Sequence, residues 1–398
     1  MNAIYTSIWN ESTGTYVAAS ENAKTAGKKA SCTKRAGGAT ARFELKALAV
    51  SLMLSFGGAV FAAPAGGVVT AGSATINSAA GNTLITQTTQ NAAINWLSFN
   101  IAAGESVKFV QPNANSVALN RVLGSDPSNI LGSLSANGKV FLVNPNGILF
   151  GQGASVNVGG LVASTLNVTD SDFMAGSYKF AGAGKGAVVN QGSINASGGY
   201  VALLGANVAN NGVIVANLGT VALAAGNAMT LDVAGDGLLN VTVNQGVVNA
   251  LVQNGGLIQA DGGQVMLTAQ AAGSLMSSAV NNTGVIQAQT LVNRNGKISL
   301  LAGMQEGTVN VSGTLDASAP NGGDGGFIET SAAHVKVADG AHITTLASAG
   351  KTGNWLIDPS DYTVSATGDI SGAALSGQLL ASNVTILSSG GKIGRAHV

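Results

Sequence analysis

The chain has 398 residues, of which 46% are hydrophobic and only 9% are charged, and its formal net charge at pH 7 is zero. A charged fraction so far below the usual quarter argues against disorder by self-repulsion and against a basic surface for nucleic acid. The 56 glycines stand beside many Ala, Val, Asn, Ser and Thr residues. That mixture favours short strands and turns over long amphipathic helices.

The first 62 residues differ from the rest and are predicted to be a long signal peptide. Residues 1–46 hold seven of the 18 basic residues, and residues 47–61 are an uncharged apolar run. A basic region, an apolar run and small residues at its end are typical of a secretory signal. A membrane anchor is the alternative, but the run is shorter than the roughly 20 residues that span a bilayer. We expect cleavage between Ala62 and Ala63, which removes Cys32, the one cysteine of the chain.

The segment from 66 to 111 alternates small polar and apolar residues and is predicted to form strands. Aromatic side chains are scarce in this chain, at 5% of all residues. We expect Trp96, Phe99 and Phe109 to be the core anchors of an N-terminal β cap.

The densest local signal lies between residues 136 and 151. Two short runs rich in β-branched and aromatic residues, 140–143 and 148–150, flank the sequence Asn144-Pro145-Asn146-Gly147. Pro fixes φ and lacks a donor, and Asn and Gly tolerate positive φ. The pattern predicts a strand, a tight turn and a second strand.

An internal repeat follows this stretch. The frame Asn-x-Gly-x-Ile/Val-x-Ala begins at Asn190, Asn210, Asn244, Asn254 and Asn282, with a looser copy at Val311. Repeats of twenty-odd residues, made of short strands and Asn/Gly turns, indicate a solenoid. We predict an all-β chain folded as a parallel β-helix, with Asn ladders at its turns. A β-sandwich prefers longer alternating strands and a β-propeller prefers repeats of about 40 residues, so these two alternatives fit less well.

Two pairs of carboxylates are candidates for acid–base or calcium chemistry. They are Asp170 with Asp172, and Asp358 with Asp361. The nearest basic residue to the first pair along the chain is Lys179, and a solvated loop is the favoured interpretation. We therefore predict that these carboxylates form no catalytic site.

Two histidines near the C-terminal end are candidate metal ligands. His334 and His342 lie eight positions apart and have no Cys or Glu partner, whereas a metal site needs three or four converging ligands. We expect both to be surface strand residues. The sequence predicts no metal site, no cofactor and no enzymatic activity.

Several stretches resemble a known family. The first 21 residues resemble the extended signal peptide region of very large exported proteins of Gram-negative bacteria. Residues 140–151, the preceding Leu119-Asn120-Arg121-Val122 and the Asn/Gly repeats resemble the secretion domain of filamentous haemagglutinin-type proteins. These are the exported partners of two-partner secretion (TPS) systems. Residues 353–359 resemble a segment that recurs in such adhesins.

The resemblance implies a right-handed parallel β-helix with an N-terminal β cap over residues 63–320, followed by a further β-repeat region over 321–392. It implies delivery by the Sec machinery and recognition in the periplasm by an outer-membrane β-barrel transporter. The chain would cross the outer membrane unfolded and fold outside. Asn144, Pro145, Asn146, Gly147 and Ile148 are the expected transporter-recognition and folding motif. The second Asn-Pro-Asn-Leu motif of some members is absent, and Gln111-Pro-Asn-Ala114 comes nearest to it.

The last residues break the composition abruptly. Residues 393–398 are predicted to be a translated sequencing-adaptor fragment, so that the natural protein continues beyond Lys392. On this interpretation the chain is the export module of a large surface adhesin, which binds a host or neighbouring cell through its missing C-terminal region. The alternative is the same module on a cytolysin or contact-dependent toxin. A β-helix enzyme acting on polysaccharide is the third and weakest hypothesis.

Overall fold

The computed structural model describes residues 5–10, 15–20, 63–233, 238–273, 278–291, 293–388 and 392–395. Residues 1–55 and 56–398 form two separate compact units. The first contains two antiparallel paired strands, β1 (Tyr5–Asn10) and β2 (Thr15–Ser20). The predicted apolar run at 47–61 and Ala62 lie outside the described residues. None of the helices within the described ranges is long and apolar enough to cross a membrane.

The second unit is a parallel β-helix with three sheets. From β8 (Val117–Val122) to β34 (His342–Thr344) the coils pass through sheet I, then sheet II, then sheet III, and the strands of each sheet pair in parallel with their counterparts in the next coil. Sheet I comprises β3 (Val68–Ala71), β6 (Asn91–Trp96), β8 (Val117–Val122), β11 (Lys139–Val143), β14 (Gly160–Ser164), β18 (Tyr200–Gly205), β21 (Thr220–Ala225), β26 (Gln264–Ala269), β29 (Lys297–Ala302), β32 (Phe327–Ala332), β35 (Asn354–Pro359) and β37 (Asn383–Ile386). Sheet II comprises β9 (Ser128–Ile130), β12 (Ile148–Phe150), β16 (Ala187–Asn190), β19 (Asn207–Asn210), β24 (Ala250–Asn254), β27 (Ser278–Asn282), β30 (Gly307–Val311) and β33 (His334–Val337). Sheet III comprises β4 (Ala74–Ala79), β5 (Asn82–Gln87), β7 (Ser106–Val110), β10 (Ser133–Ala136), β13 (Ser155–Asn157), β17 (Ser193–Asn195), β20 (Val213–Val215), β25 (Leu257–Gln259), β28 (Val285–Gln287), β31 (Thr314–Asp316) and β34 (His342–Thr344).

The remaining elements lie outside these three sheets. Helix α1 (Asp170–Met174) precedes a side sheet, which is antiparallel and is formed by β15 (Tyr178–Ala181), β22 (Ala228–Val233) and β23 (Leu239–Gln245). Helix α2 (Gly372–Gln378) follows β36 (Asp361–Val364), which pairs in parallel with β38 (Lys392–Arg395). The predicted all-β parallel β-helix is therefore confirmed.

The start of the β-helix is closed by antiparallel pairing. Strand β3 pairs with β6, and β4 pairs with β5, so two antiparallel additions cover the first coil. An exposed sheet edge can recruit foreign strands, and such a cap limits this. Trp96, Phe99 and Phe109 are each 1% exposed beneath it, which confirms the three predicted anchors. The Trp96 and Phe99 rings meet edge to face at 5.4 Å.

An asparagine ladder joins sheets II and III in four consecutive coils. The side-chain Nδ2 of each member donates to the Oδ1 of the next over 2.8 Å, in the order Asn190, Asn210, Asn254 and Asn282. All four side chains are buried. This confirms the predicted ladder for these copies of the repeat.

The repeat that begins at Asn244 is an exception, and its assignment to the ladder was wrong. Asn244 is exposed in β23 of the side sheet, where its Oδ1 accepts a hydrogen bond from the Thr230 hydroxyl. The local sequence matches the frame, but this segment lies outside the coils of the β-helix and forms part of the side sheet. A turn pattern does not encode which coil a segment joins.

The glycine of the frame has a steric cause. A Cβ on Gly212 would lie 2.2 Å from the Gly192 carbonyl oxygen, and one on Gly256 would lie 2.1 Å from that of Gly212. The turns of successive coils therefore stack backbone against backbone. Only glycine allows so close an approach.

We predict that Asn254→Ala lowers the free energy of unfolding by about 1–3 kcal/mol, because it leaves the buried amide of Asn210 without its acceptor. Urea unfolding of the purified chain measures this. Asn244→Ala is the matched control, with an expected change within about 0.5 kcal/mol because its side chain is exposed. Equal losses in the two variants would contradict the ladder's role.

Candidate functional site

The candidate site is the corner between β11 and β12, formed by Asn144, Pro145, Asn146, Gly147 and Ile148. The backbone N–H of Gly147 donates to the Asn144 carbonyl over 3.1 Å, which closes the turn. The structure therefore confirms the predicted strand, turn and strand, with the first strand starting at Lys139. We name these five residues the corner motif.

Asn144 is the buried centre of the corner motif. Its side chain is 0% exposed. Its Nδ2 donates to the carbonyl of Asp126 and the hydroxyl of Ser128, both over 3.0 Å, and its Oδ1 accepts from the backbone N–H of Asn146 over 3.0 Å. Its own backbone N–H donates to the Ser164 carbonyl over 2.9 Å. A buried amide with all these partners holds the preceding and the following coil to this corner.

Pro145 and Asn146 form the exposed half of the motif. The Asn146 side chain donates to the Gly124 carbonyl over 2.9 Å, in the preceding coil. The Pro145 carbonyl accepts from the backbone N–H groups of Lys185 and Gly186, both over 3.1 Å, in the following one. The exposed residues are thus fixed in position, although solvent reaches them.

Gly147 and Ile148 return the chain to the core. Gly147 has a φ of 119°, in the region that disfavours side chains, and a Cβ there would lie 3.2 Å from the Ala187 carbonyl oxygen. Ile148 is 0% exposed and pairs with Ser128 on one side and Val188 on the other.

Gln111 holds the opposite end of β11, a role that sequence reasoning missed. Its side chain is 5% exposed. Its Nε2 donates to the Gln87 Oε1 over 3.1 Å and to the Lys139 carbonyl over 3.3 Å, and its Oε1 accepts from the Gly138 N–H over 3.0 Å. Three successive coils are therefore linked at this point as well. The Gln-Pro-Asn sequence was the only available signal, and it does not reveal that the glutamine is buried.

Burial shifts the pKa values of three ionisable side chains around the start of β11. The Lys139 ammonium lies 5.4 Å from the centre of the Tyr200 ring, and burial lowers the pKa of Lys139. Burial raises the pKa of Tyr200, and Tyr178 adds to that rise. Burial also raises the pKa of Tyr178. These phenols stay neutral near pH 7 and act as packing groups.

The interpretation of Asp170 as part of a solvated loop was wrong. Its Oδ1 lies 2.7 Å from a guanidinium nitrogen of Arg121, a residue 49 positions earlier. Asp172 lies beside the N-cap of α1, where it accepts from the Thr169 hydroxyl. The basic partner could not be recognised from the sequence, because the two residues are far apart along the chain. They meet only because strand stacking brings β8 next to the start of α1.

The other candidate residues lie apart from the corner. His334 and His342 are exposed on β33 and β34, as predicted for surface strand residues. Within the described ranges, no group of three or more His, Cys, Asp or Glu side chains is placed to hold a metal ion. Of the predicted cleavage pair, Ala63 is partly exposed and Ala62 is outside the described residues.

Comparison with known families identifies the class of protein. The family model of the TPS secretion domain matches residues 61–317, and that of the extended signal peptide of the type V secretion system matches residues 1–50. The chain belongs to the TPS secretion domain family. It is the secretion module of a protein exported across the outer membrane of a Gram-negative bacterium, and such a domain implies a cognate outer-membrane transporter.

Individual relatives agree with this class. The chain is 37% identical over 273 residues to a heme/hemopexin-binding protein of Haemophilus influenzae, a match that covers 65% of this chain and 30% of the relative. A second heme/hemopexin-binding protein of that species is 34% identical over 242 residues, covering 55% of this chain and 26% of the relative. The match thus spans less than a third of these relatives' length. The HMW1 secretion domain from Haemophilus influenzae has the same fold, with a TM-score of 0.61, 24% identity and coverage of 84% of this chain and 100% of that domain.

We predict that Asn144→Ala lowers the free energy of unfolding by about 1–3 kcal/mol, because it removes a buried amide and leaves its partners without hydrogen bonds. Asn146→Ala, which deletes an exposed amide from the same turn, is expected to lose at most about 1 kcal/mol. Urea unfolding of both variants measures the difference. The reverse order of losses would contradict the assignment of Asn144 as the structural centre.

Proposed function

We propose that the corner motif has two roles in export, which its two halves divide between them. Asn144, Gly147 and Ile148 build a corner that joins three coils. Pro145 and Asn146 are held exposed at its surface, where the transporter's periplasmic part recognises them. The observation that carries this proposal is that a single turn combines a backbone hydrogen-bonded to both neighbouring coils with two exposed side chains.

We also propose that folding begins in these N-terminal coils outside the cell. Each coil buries its apolar side chains against the one before it, so folding propagates from a formed end. The antiparallel cap, the Gln111 cluster and the corner motif connect the first coils more densely than strand pairing alone. A folded N-terminal end too wide for the transporter would hinder back-sliding and favour outward movement.

The routes into and beyond the transporter are part of the same proposal. The Sec machinery delivers the chain to the periplasm, and the signal is removed between Ala62 and Ala63. The export module occupies about residues 63–320, and a β-repeat region continues over 321–392. This part of the chain carries no catalytic activity.

The whole protein is proposed to be a large surface protein of the adhesin class that binds a host or neighbouring cell. The support is that both relatives are named as ligand-binding proteins, for heme or hemopexin. Binding of heme or hemopexin is therefore a specific form of this proposal. A cytolysin or contact-dependent toxin on the same module has no such support.

We predict that the chain is released into the medium only when the cognate transporter is present. We also predict that Asn146→Ile reduces this release several-fold without loss of folding stability. Immunoblots of medium and periplasm measure the release, and mass spectrometry of the released chain is expected to show Ala63 as its N-terminal residue. Asn157→Ile, an exposed asparagine on β13, controls for added surface hydrophobicity. Normal release of a folded Asn146→Ile variant would reduce the motif to a structural turn.

A further inference from the structure

An excursion from the β-helix covers the outer face of sheet I. After β14 the chain leaves the coil, forms α1 and β15, and lies against earlier strands. We name residues 165–181 the lid. The end of α1 contacts the first coil, where the Asn91 side chain donates to the Met174 carbonyl over 3.4 Å.

The lid buries an apolar surface that the coils alone leave on the outside. Phe141 of β11 points away from the interior of the β-helix and is nevertheless 0% exposed. The lid rings Phe173, Tyr178 and Phe180 lie 5.8, 4.9 and 6.1 Å from it. Leu119, Val143 and Val162 belong to the same buried cluster, which is separate from the core inside the coils.

Arg121 fixes the lid at its first end. Its guanidinium donates to the Asn167 Oδ1 over 2.8 Å, to the Val168 carbonyl over 2.6 Å and to Asp170 over 2.7 Å, all three in the lid. A fourth hydrogen bond, of 3.0 Å, runs to the Asn95 Oδ1 of β6. The second oxygen of Asp170 accepts from the Thr70 hydroxyl of β3 over 3.0 Å.

This cluster uses charge in a protein that otherwise contains little of it. Arg121 and Asp170 form the one ion pair among the residues whose side chains the structure describes. The Arg121 side chain is 12% exposed and that of Asp170 is 34% exposed. A guanidinium buried to this extent is stabilised by charge-assisted hydrogen bonds, and removing its partner leaves a poorly solvated charge.

We infer that Arg121 is a positioning residue, a latch that closes the lid once the first coils are complete. The latch joins β3, β6 and β8 to a segment that follows β14. It can therefore form only when the cap and the first four parallel strands of sheet I, namely β6, β8, β11 and β14, are stacked in register. Until then the lid does not cover the apolar face around Phe141, to which β22 and β23 later add their own apolar side chains.

The consequence for export rests on the proposed function. Lid closure would mark the point at which the N-terminal coils no longer reopen. Loss of the latch would leave the coils able to form but the outer face of sheet I accessible.

Hydrogen exchange followed by mass spectrometry on the purified chain tests the latch. In Arg121→Gln and in Asp170→Asn, we expect peptides from residues 165–181 to exchange at least about ten-fold faster, while peptides from the later coil strands, β16 to β21 and β24 onwards, keep their protection. Strands β22 and β23 are not part of this comparison, because β22 pairs with the lid strand β15. Arg121→Lys keeps the charge but not the fork of donors, so we expect an intermediate effect. Lys179→Gln, which removes an exposed charge from the lid itself, is the matched control and is expected to exchange like the wild type.

Two results would overturn the inference. One is unchanged exchange of the lid in Arg121→Gln, and the other is an equal loss of protection in the lid and in the later coils. Should Arg121→Gln not fold, Asp170→Asn alone carries the same test. The experiment needs no transporter, so its failure is distinguishable from failure of the export proposal, which the release assay decides.

Discussion

Register between successive coils is the constraint on which this structure depends. Beyond the antiparallel cap, the strands of the three sheets pair with their counterparts one coil before and one coil after. A slip of one residue would turn the inward side chains outward along the whole strand. Buried amides prevent such a slip at all three corners: Gln87 and Gln111 between sheets III and I, Asn144 between sheets I and II, and the ladder from Asn190 to Asn282 between sheets II and III.

These amides lie at different corners in different coils, and their distribution separates two tasks. Gln111 and Asn144 grip the two ends of β11 and reach coils on both sides of it. The later ladder repeats the same side-chain contact in four coils, and its task is to keep each added coil in register with the one before. Burying a side-chain amide without a hydrogen-bond partner costs free energy. Because a shifted register would leave these amides without their partners, each of them favours the observed register over the shifted ones. Strand β11 is therefore held by buried amides at both of its ends, which suits it to a folding nucleus.

Much of the fold was predictable because it is encoded over short distances. The Asn, Pro and Gly residues at 144–147 specify a turn through their own backbone preferences, independently of distant contacts. The Asn-x-Gly frame likewise specifies the turns whose asparagines form the ladder. The sequence was less informative where distant segments meet. Asn244 has the same frame as Asn254 but lies in the side sheet, and nothing in its neighbours indicates that departure. Arg121 finds Asp170 across 49 residues, and Gln111 finds Gln87 and Lys139 across 24 and 28, because strand stacking sets these contacts and the spacing between coils varies with each insertion.

The central claim is that the coils on either side of β11 form first and that the rest of the β-helix grows from them. Pulse-labelled hydrogen exchange during refolding of the purified chain tests it most directly, because it times the protection of each strand. The account predicts that amides of β6, β8, β11 and β12 become protected before those of β27, β29, β32 and β35. Simultaneous protection of both groups, or earlier protection of the later strands, would contradict it.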